Sequence, residues 1–221
     1  MKLSDYEQPS VTADIVIFSV IDEDLKVLLV KRGIEPFKDK WAIPGGFMNV
    51  GESLEDAAKR ELFEETGVKD VYLEQLYTFG DVGRDPRGRV VTVSYFALVN
   101  SEKIKLKSSA DVKEAKWFSV KKLPTLAFDH KKILDYALQR LKWKFEYTTV
   151  GISLLSKKFR LSELRGLYEI VFDREFDKRN FVKKIHALKV LDEVGVDKDV
   201  PYRPPKLYSL KKGVRDFVEI I

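Results

Sequence analysis

The chain has 221 residues, no cysteine, 44% hydrophobic residues and a formal net charge of +5. This length is long for one domain and comfortable for two small ones, and the hydrophobic content is sufficient for packed cores. The absence of cysteine excludes disulfides and thiolate metal sites, and it is typical of the reducing cytosol. Because no stretch approaches the roughly 20 apolar residues of a membrane helix and the first residues lack an apolar signal core, we expect a cytoplasmic protein without a membrane partner.

The positive charge is concentrated in the last third of the chain. Residues 1–146 hold 24 Lys+Arg and 24 Asp+Glu, whereas residues 147–221 hold 16 and 11. A basic segment that follows a neutral body indicates an anionic polymer as a partner. Lysines that only solvate a surface are the alternative, since charge alone does not separate the two.

Alternating strand and helix patterns extend to about Tyr147. Two short aliphatic segments separated by Asp22-Glu23-Asp24 predict a β-hairpin over residues 13–19 and 26–31. A predicted strand at 41–47 enters a glycine-containing loop, and a Glu-rich helix follows. Hydrophobic periodicity then predicts three strands and one helix, at residues 72–79, 89–99, 115–120 and 129–145. This order predicts an α/β domain at residues 1–147, with a mixed sheet and helices on both faces.

Three glutamates on the Glu-rich helix predict a divalent metal site. Glu61, Glu64 and Glu65 are spaced i, i+3 and i+4, so a helix places their carboxylates on one face. A hard cation such as Mg²⁺ or Mn²⁺ removes their mutual repulsion, because such ions take carboxylate oxygens and usually a pyrophosphate as ligands. Ser53 and Gly67 are predicted to cap the two ends of this helix. A solvated acidic helix face is the alternative.

The surrounding pattern, Gly46-x5-Glu52-x7-Arg60-Glu61-Leu62-x-Glu64-Glu65-x-Gly67-Val68, resembles the Nudix box at every defining position. The resemblance covers about Thr12 to Tyr147 and implies the Nudix fold, an α/β/α sandwich. Members hydrolyse a nucleoside diphosphate linked to another group, with metal ions that activate water and neutralise the leaving phosphate. The resemblance implies that Glu61, Glu64 and Glu65 bind the metal, with Glu52 as an outer or occasional direct ligand. It also implies that Arg60 holds these carboxylates in place and that Gly45 and Gly46 shape the loop that approaches the diphosphate. In an active enzyme, Glu61, Glu64, Glu65 and Arg60 are the catalytic residues.

A turn-rich loop between two predicted strands holds Arg84, Arg87 and Arg89. Arginine binds phosphate through bidentate hydrogen bonds, and the loop adjoins two strands of the site domain. We therefore predict that all three bind phosphate, with a solvated loop as the alternative.

A general base is not supplied by the Nudix box. Asp111 and Glu114 are the only candidates in the sequence, and an ordinary surface position is the alternative for both. His130, at a predicted helix start, is interpreted as a capping or structural residue.

The last third of the chain, residues 148–221, predicts a helix-turn-helix followed by a wing. A first helix opens at Leu161 with Ser162 as its N-cap and an apolar stripe at Leu164, Leu167, Tyr168 and Val171. Asp177 caps a second helix, Lys178 to Val190, which directs Phe181, Ile185 and Leu188 inward. Its other face carries Arg179, Val182, Lys183, His186 and Val190, with Lys184 on the flank, and the predicted DNA contacts of the helix are Arg179, Asn180, Lys183, Lys184 and His186. Such a second helix enters a DNA major groove, and a β-hairpin wing with Arg203 and Lys206 follows. A helical appendage that packs on an enzyme or forms a dimer interface is the alternative.

This tail resembles the winged-helix domain of the Nudix-related transcriptional regulators, in the segments Leu161-Ser162-Glu163-Leu164-Arg165, Asp177-Lys178-Arg179-Asn180-Phe181 and Arg203-Pro204-Pro205-Lys206-Leu207-Tyr208. The resemblance implies a DNA-binding regulator whose Nudix-like domain senses a small metabolite, either an ADP-ribose-type nucleotide or a sugar. Because one helix-turn-helix reads few base pairs, we expect a homodimer on a near-palindromic operator. The alternative is an active Nudix pyrophosphatase that hydrolyses ADP-ribose or a nucleotide sugar and carries a structural tail. A protein-recruiting scaffold has no feature in its favour.

Overall fold

The computed structural model describes residues 5–67, 71–100, 112–198, 201 and 204–214. The chain divides into two compact units, one formed by Met1–Phe18 with Lys26–Leu138 and the other by Ser19–Leu25 with Gln139–Ile221. The sequence-based division at residues 147 and 148 stays a prediction.

The first unit is built on a seven-stranded sheet. Its elements, in chain order, are β1 (Ser10–Ile21), β2 (Asp24–Arg32), β3 (Trp41–Ala42), β4 (Gly45–Phe47), α1 (Leu54–Thr66), β5 (Tyr72–Phe79), β6 (Val90–Leu98), β7 (Val112–Ser119) and α2 (His130–Tyr147). The main strand order is β3-β2-β1-β6-β5, and β4 and β7 pair with β1 and β2. β1 and β6 are parallel, while the β5–β6, β1–β4 and β2–β7 pairs are antiparallel. The predicted mixed sheet is therefore confirmed.

The predicted hairpin is formed by β1 and β2, which are joined by Asp22 and Glu23. Both turn residues have positive φ, 52° and 55°, as a two-residue hairpin turn of the primed type requires. The predicted strand at 41–47 is instead two short strands. Pro44 lacks an N–H, and the N–H of Ile43 donates to Nδ1 of His130 at 2.9 Å, so the ladder is interrupted there. The chain thereby passes from pairing with β2 to pairing with β1.

Both faces of the sheet are covered. Alternate residues such as Ile15 and Tyr95 pack in one apolar cluster with Ala57, Ala58 and Leu62 of α1. The intervening residues of β1 and β6, including Val16, Phe18 and Phe96, are also fully buried. α2 supplies the predicted buried positions Ile133, Leu134, Ala137 and Leu141, and its Tyr136 ring contacts those of Tyr77 and Phe79 on β5.

The second unit contains a short 3-10 helix (Val150–Leu154), α3 (Leu161–Phe172), α4 (Lys178–Leu188), β8 (Leu191–Val196) and β9 (Lys206–Leu210). α3 buries the predicted stripe of Leu164, Leu167, Tyr168 and Val171. The strands β8 and β9 pair antiparallel, as a wing requires. Asp177 caps α4 as predicted, since its side chain accepts a hydrogen bond from the N–H of Asn180 at 2.8 Å.

Three details of the sequence interpretation were wrong in this unit. The N-cap of α3 is Arg160, not Ser162, and the carboxylate of Glu163 accepts a hydrogen bond from the Arg160 N–H at 2.6 Å. α4 ends before the predicted boundary because Lys189 adopts the left-handed conformation, with φ of 54°. Val190 is 4% exposed, so it does not belong to the outward face.

Across the described ranges, no helix combines the length and the apolar character needed to cross a membrane.

Candidate functional site

Helix α1 presents its three glutamates on one face, and both of its ends are capped as predicted. Ser53 Oγ accepts a hydrogen bond from the N–H of Asp56 at 3.1 Å. At the other end, Gly67 has a left-handed φ of 70°, and its N–H donates to the carbonyl of Phe63 at 2.8 Å. A glycine adopts this conformation without the steric cost of a Cβ. The caps fix the helix ends and therefore which side chains face the sheet.

Gly45 and Gly46 of β4 bring the backbone against acidic side chains. A Cβ on Gly46 would lie 2.2 Å from Oε1 of Glu61, and a Cβ on Gly45 would lie 2.6 Å from Oδ1 of Asp14. Both distances are far below van der Waals contact. A larger residue at Gly46 would push the Glu61 carboxylate away, and one at Gly45 would also meet the backbone carbonyl of Ala13 at 2.5 Å. The N–H of Gly45 also donates to the Glu65 carboxylate.

Arg60 is the centre of an ion-pair network on α1. Its guanidinium contacts Oε1 and Oε2 of Glu52 at 2.8 and 3.0 Å, Oε1 of Glu61 at 2.6 Å and Oε2 of Glu64 at 3.4 Å. The hydrogen bonds from Arg60, together with one from the Asn49 N–H, lower the pKa of Glu52 to about 2. Glu52 therefore holds Arg60 in place, and Arg60 orients Glu61.

The two buried glutamates of α1 carry an electrostatic cost that a cation would remove. Burial, reinforced by the charge of Glu61, raises the pKa of Glu65 to about 8, and burial also raises the pKa of Glu61. Oε2 of Glu65 is buried and has no hydrogen-bond partner. Within the described residues, no three potential ligands converge in a ready-made metal site, because Arg60 draws Glu61 and Glu64 toward itself. Carboxylate oxygens on one helix face nevertheless match the ligands of a hard divalent ion.

These residues line a cavity of about 410 Å³ in the first unit. The predicted residues in its wall are Gly45, Gly46, Arg60, Glu61, Glu64, Glu65, Arg84 and Arg87. The cavity thus combines clustered carboxylates with guanidinium groups.

Arg84 and Arg87 enter the cavity wall from the loop between β5 and β6. The side chain of Arg84 is buried and donates to Asp129 through two hydrogen bonds of 3.0 and 2.7 Å, and its Nη2 lies 3.7 Å from Oδ2 of Asp14. Arg87 is more exposed, and Asp85 orients it through contacts of 3.0 and 2.7 Å. Arg84 therefore braces the wall, while Arg87 retains an accessible guanidinium face.

Several predicted residues lie away from the cavity wall. Glu52 supports the wall through Arg60, and Arg89 donates to the carbonyl of Gly80 at 2.6 Å. Glu114 is exposed on β7, and Asp111 lies outside the described residues.

Sequence reasoning missed five polar residues of this wall, namely Thr12, Asp14, Arg32, Asp85 and His130. Asp14 was detectable, because a charged residue in the otherwise apolar segment Ala-Asp-Ile-Val-Ile-Phe is unusual in a central strand. His130 gave no local signal, because the partner of its ring is the backbone of Ile43, 87 residues away.

The mouth of the cavity is partly aromatic. Phe47 is 44% exposed, and the guanidinium carbon of Arg87 lies 5.1 Å from its ring centroid and 5.7 Å from that of Phe128. Arg32 lies over the Phe128 ring at 4.8 Å. Guanidinium groups and aromatic rings both stack with planar groups, so the mouth of the cavity can bind a planar group of a ligand.

A second candidate site lies on α4 of the second unit. All five predicted DNA-facing residues of this helix are exposed, namely Arg179, Asn180, Lys183, Lys184 and His186. The His186 ring also contacts Tyr208 of β9, with 5.7 Å between ring centroids. The buried residues Phe181 and Ile185 anchor the opposite side of α4, so the helix presents a basic face.

One ion pair lies within the wing, and another ties the wing to the body of this unit. Lys206 is exposed, and its Nζ lies 2.8 Å from Oε2 of Glu193 across the β8–β9 hairpin. Arg160, before α3, forms an ion pair with Asp197. Arg203 lies outside the described residues.

Known protein families match both units. A family model described as the NUDIX domain matches residues 11–137, and one described as the NrtR DNA-binding winged helix domain matches residues 151–210. The two resemblances seen in the sequence are therefore confirmed, in the same order along the chain.

Individual relatives match nearly the whole chain. An "ADPR responsive transcriptional repressor NtrR" of Acinetobacter baylyi is 37% identical, over 97% of this chain and 87% of the repressor. The crystal structure of Shewanella oneidensis NrtR complexed with a 27mer DNA is 36% identical with a TM-score of 0.81, over 91% of this chain and 93% of that chain. The NUDIX domain of the same Shewanella protein, in a structure complexed with ADP ribose, is 40% identical with a TM-score of 0.58, over 64% of this chain and 94% of that chain. The chain therefore belongs to the NrtR family and joins a NUDIX domain to the NrtR DNA-binding winged helix domain.

Proposed function

We propose that this chain is a transcriptional regulator whose winged helix binds operator DNA and whose Nudix domain senses an ADP-ribose-type nucleotide. The observation that carries the proposal is the cavity, which places carboxylates suited to a metal beside guanidinium groups suited to phosphate. That combination fits a diphosphate better than an uncharged sugar. The Acinetobacter relative is named as ADPR responsive, and the Shewanella Nudix domain was crystallised with ADP ribose.

The ligand's diphosphate would lie between α1 and Arg87. Glu61, Glu64 and Glu65 would hold Mg²⁺ or Mn²⁺, which would neutralise the negative charge of the diphosphate. Glu52 would act through Arg60, which it holds with two hydrogen bonds. The accessible guanidinium of Arg87, which is fixed by Asp85, would bind a phosphate oxygen.

The DNA-binding surface would be the basic face of α4, with the wing beside it. Arg179, Lys183 and Lys184 would contact phosphates or base edges, and Asn180 has the side-chain amide that reads adenine. We also keep His186, Lys206 and Arg203 as proposed contacts. Lys206 would first have to exchange its partner Glu193 for a phosphate.

A two-fold dimer would present two such helices to a near-palindromic operator. We propose a homodimer in which residues 1–147 form the sensing domain and residues 148–221 the DNA-binding domain. Light scattering of the free protein and of its DNA complex measures this directly. A monomer in both states would contradict the proposal.

A second candidate function is metal-dependent hydrolysis of ADP-ribose or a nucleotide sugar. Two observations favour it: all the carboxylates of the Nudix box are present, and Glu65 has a buried oxygen without a hydrogen-bond partner. In this candidate, Glu61, Glu64, Glu65 and Arg60 serve catalysis. Release of AMP from ADP-ribose at ordinary enzyme rates, near about 10 s⁻¹, together with no DNA binding, would make it the better description.

The decisive experiment measures binding of the full chain to DNA from upstream of its own gene, by fluorescence anisotropy, with and without ADP-ribose and Mg²⁺. We expect specific binding whose affinity changes when ADP-ribose is added. Because coupling between two sites is reciprocal, the same DNA must change the affinity for ADP-ribose by the same factor. Specific DNA binding that is indifferent to ADP-ribose would contradict the sensing role.

A further inference from the structure

His130 is locked in one tautomer by the backbone. It is 5% exposed, and its Nδ1 accepts a hydrogen bond from the N–H of Ile43 at 2.9 Å. A nitrogen that accepts a hydrogen bond carries no proton, so the proton of the neutral ring lies on Nε2. Burial lowers the pKa of His130, although the charges of Asp14 and Asp129 act in the opposite direction. The ring is therefore a neutral donor at physiological pH.

The Nε2–H of this ring remains available to a ligand. His130 lines the cavity. Within the described part of the chain, the only hydrogen bond of its ring is the one from Ile43, and the ring also contacts that of Phe128, with 5.2 Å between centroids. The backbone bond therefore uses one side of the imidazole and leaves the other as a donor in the cavity wall.

Asp14 supplies a complementary acceptor in the same wall. It lies on β1 and is 6% exposed, and its nearest cation, Nη2 of Arg84, is 3.7 Å away, beyond hydrogen-bond distance. Arg84 is already committed to Asp129 through two hydrogen bonds. The Asp14 side chain thus accepts no hydrogen bond from the described residues. Two residues earlier on the same face of β1, Thr12 Oγ1 is also buried without a hydrogen-bond partner.

We propose that Asp14 and His130 form a hydroxyl subsite for the sugar part of the ligand. A carboxylate accepts hydrogen bonds, and a neutral imidazole N–H donates one. A hydroxyl satisfies both groups at once, because it accepts from Nε2 of His130 and donates to Asp14. A phosphate oxygen without a proton satisfies only His130 and is repelled by Asp14.

The subsite separates two parts of one ligand. The phosphates belong near Arg87 and the α1 carboxylates, and a sugar hydroxyl belongs between β1 and the start of α2. This rests on the proposed function and deepens it, because it predicts selection for a diphosphate that carries a second sugar. A nucleoside diphosphate such as ADP lacks that sugar and leaves the pair unsatisfied. Sites built to bind a hydroxyl reject analogues that lack it, because buried polar groups are then left without partners.

Two substitutions of His130 distinguish the roles of its two ring nitrogens. In His130→Asn the side-chain oxygen can replace Nδ1 as acceptor for the Ile43 N–H, but the Nε2–H donor is lost. In His130→Gln the amide reaches the position of Nε2, so the donor is kept and the Nδ1 acceptor is lost. Asp14→Asn keeps the shape of the acceptor and removes its charge.

The experiment is calorimetric titration of the full chain with ADP-ribose and with ADP in the presence of Mg²⁺. We expect the unmodified protein to bind ADP-ribose more tightly than ADP. His130→Asn and Asp14→Asn should each weaken ADP-ribose binding by roughly 10-fold to 100-fold, the range of one or two hydrogen bonds. The affinity for ADP should be unchanged in both variants. His130→Gln should retain more ADP-ribose affinity than His130→Asn. In ¹⁵N spectra, the Nε2 resonance of His130 should shift with ADP-ribose and not with ADP.

The outcomes distinguish this inference from the function on which it rests. If the unmodified protein binds ADP-ribose and His130→Asn binds it equally well, or loses both ligands in parallel, the hydroxyl subsite is wrong and the sensing role stands. If the unmodified protein binds neither ligand, both the sensing role and the hydroxyl subsite are wrong. Should His130→Asn fail to fold, Asp14→Asn and the ¹⁵N spectra of the unmodified protein decide the question.

Discussion

Arg60 and Glu52 form a bidentate ion pair, with 2.8 Å between Nε and Oε1 and 3.0 Å between Nη2 and Oε2. The residues are eight positions apart, so the pair ties the segment before α1 to the middle of that helix. The same guanidinium also reaches Glu61. The Glu52–Arg60 pair therefore links the segment before α1 to the Glu61 carboxylate, which lies against Gly46.

The Glu52–Arg60 pair should make stability depend on pH. Hydrogen bonds from Arg60 and, secondarily, from the Asn49 N–H lower the pKa of Glu52 to about 2 from the ordinary 4.5. A carboxyl group with a lowered folded-state pKa contributes stability above its unfolded pKa and loses that contribution as pH falls through the folded value. We expect Glu52→Gln to lower the melting temperature at pH 6 to 7 and to match the parent near pH 2. Glu55→Gln, which breaks the exposed pair with Lys59, is the control and should have little effect. A melting-temperature difference for Glu52→Gln that is independent of pH would contradict the assignment.

Metal binding should depend on Glu64, which is half exposed and can be changed at little cost to the fold. Mg²⁺ or Mn²⁺ should raise the melting temperature of the parent by mass action, and Glu64→Gln should reduce this shift because it removes a ligand charge at nearly constant volume. Scanning fluorimetry with increasing Mn²⁺ measures both proteins, with Glu55→Gln as the matched control. Equal metal-induced shifts in all three proteins would exclude Glu64 as a ligand.

The basic face of α4 should determine DNA binding. Arg179→Ala with Lys183→Ala removes two exposed charges from this face, so specific binding should be lost and the slope of log affinity against log salt should become shallower by about two units at most. Lys38→Ala with Lys40→Ala removes the same charge from exposed positions in the first unit and should leave binding intact. Equal loss in the two double variants would indicate a general charge effect and would contradict recognition by α4.

The Tyr168 hydroxyl should stabilise the second unit. The side chain is 1% exposed, and its OH donates to the backbone carbonyl of Phe145 at 3.0 Å. Tyr168→Phe leaves that carbonyl without a partner, so we expect a loss of about 1–3 kcal/mol in the free energy of unfolding. Tyr77→Phe is the control, since Tyr77 is 52% exposed. Urea unfolding measures both, and equal stabilities would show that the Tyr168–Phe145 hydrogen bond contributes nothing.

The sequence was sufficient where a feature depends on neighbouring residues. The two caps of α1, the side chains that face inward from α3 and the hairpin of β8 and β9 all follow from spacings of two to four residues or from a turn. Hydrogen bonds and hydrophobic periodicity over such distances are set by backbone geometry. The same locality explains why the carboxylate spacing on α1 could be recognised before any fold was known.

Only the tertiary structure decided which residues share the cavity. Arg84 contacts Asp129, 45 positions away, and His130 contacts Ile43, 87 positions away. Arg89 instead donates to the carbonyl of Gly80 and does not line the cavity. Nothing in the local pattern distinguishes Arg84 from Arg89, because both lie in one polar loop and differ only in what the folded chain brings to them. By itself, the sequence determined the helices, the wing and the acidic spacing, because these depend on contacts within a few residues. Asp14 and His130 share one wall only because β4 pairs with β1 beside Asp14, and because Ile43, just before β4, binds the His130 ring.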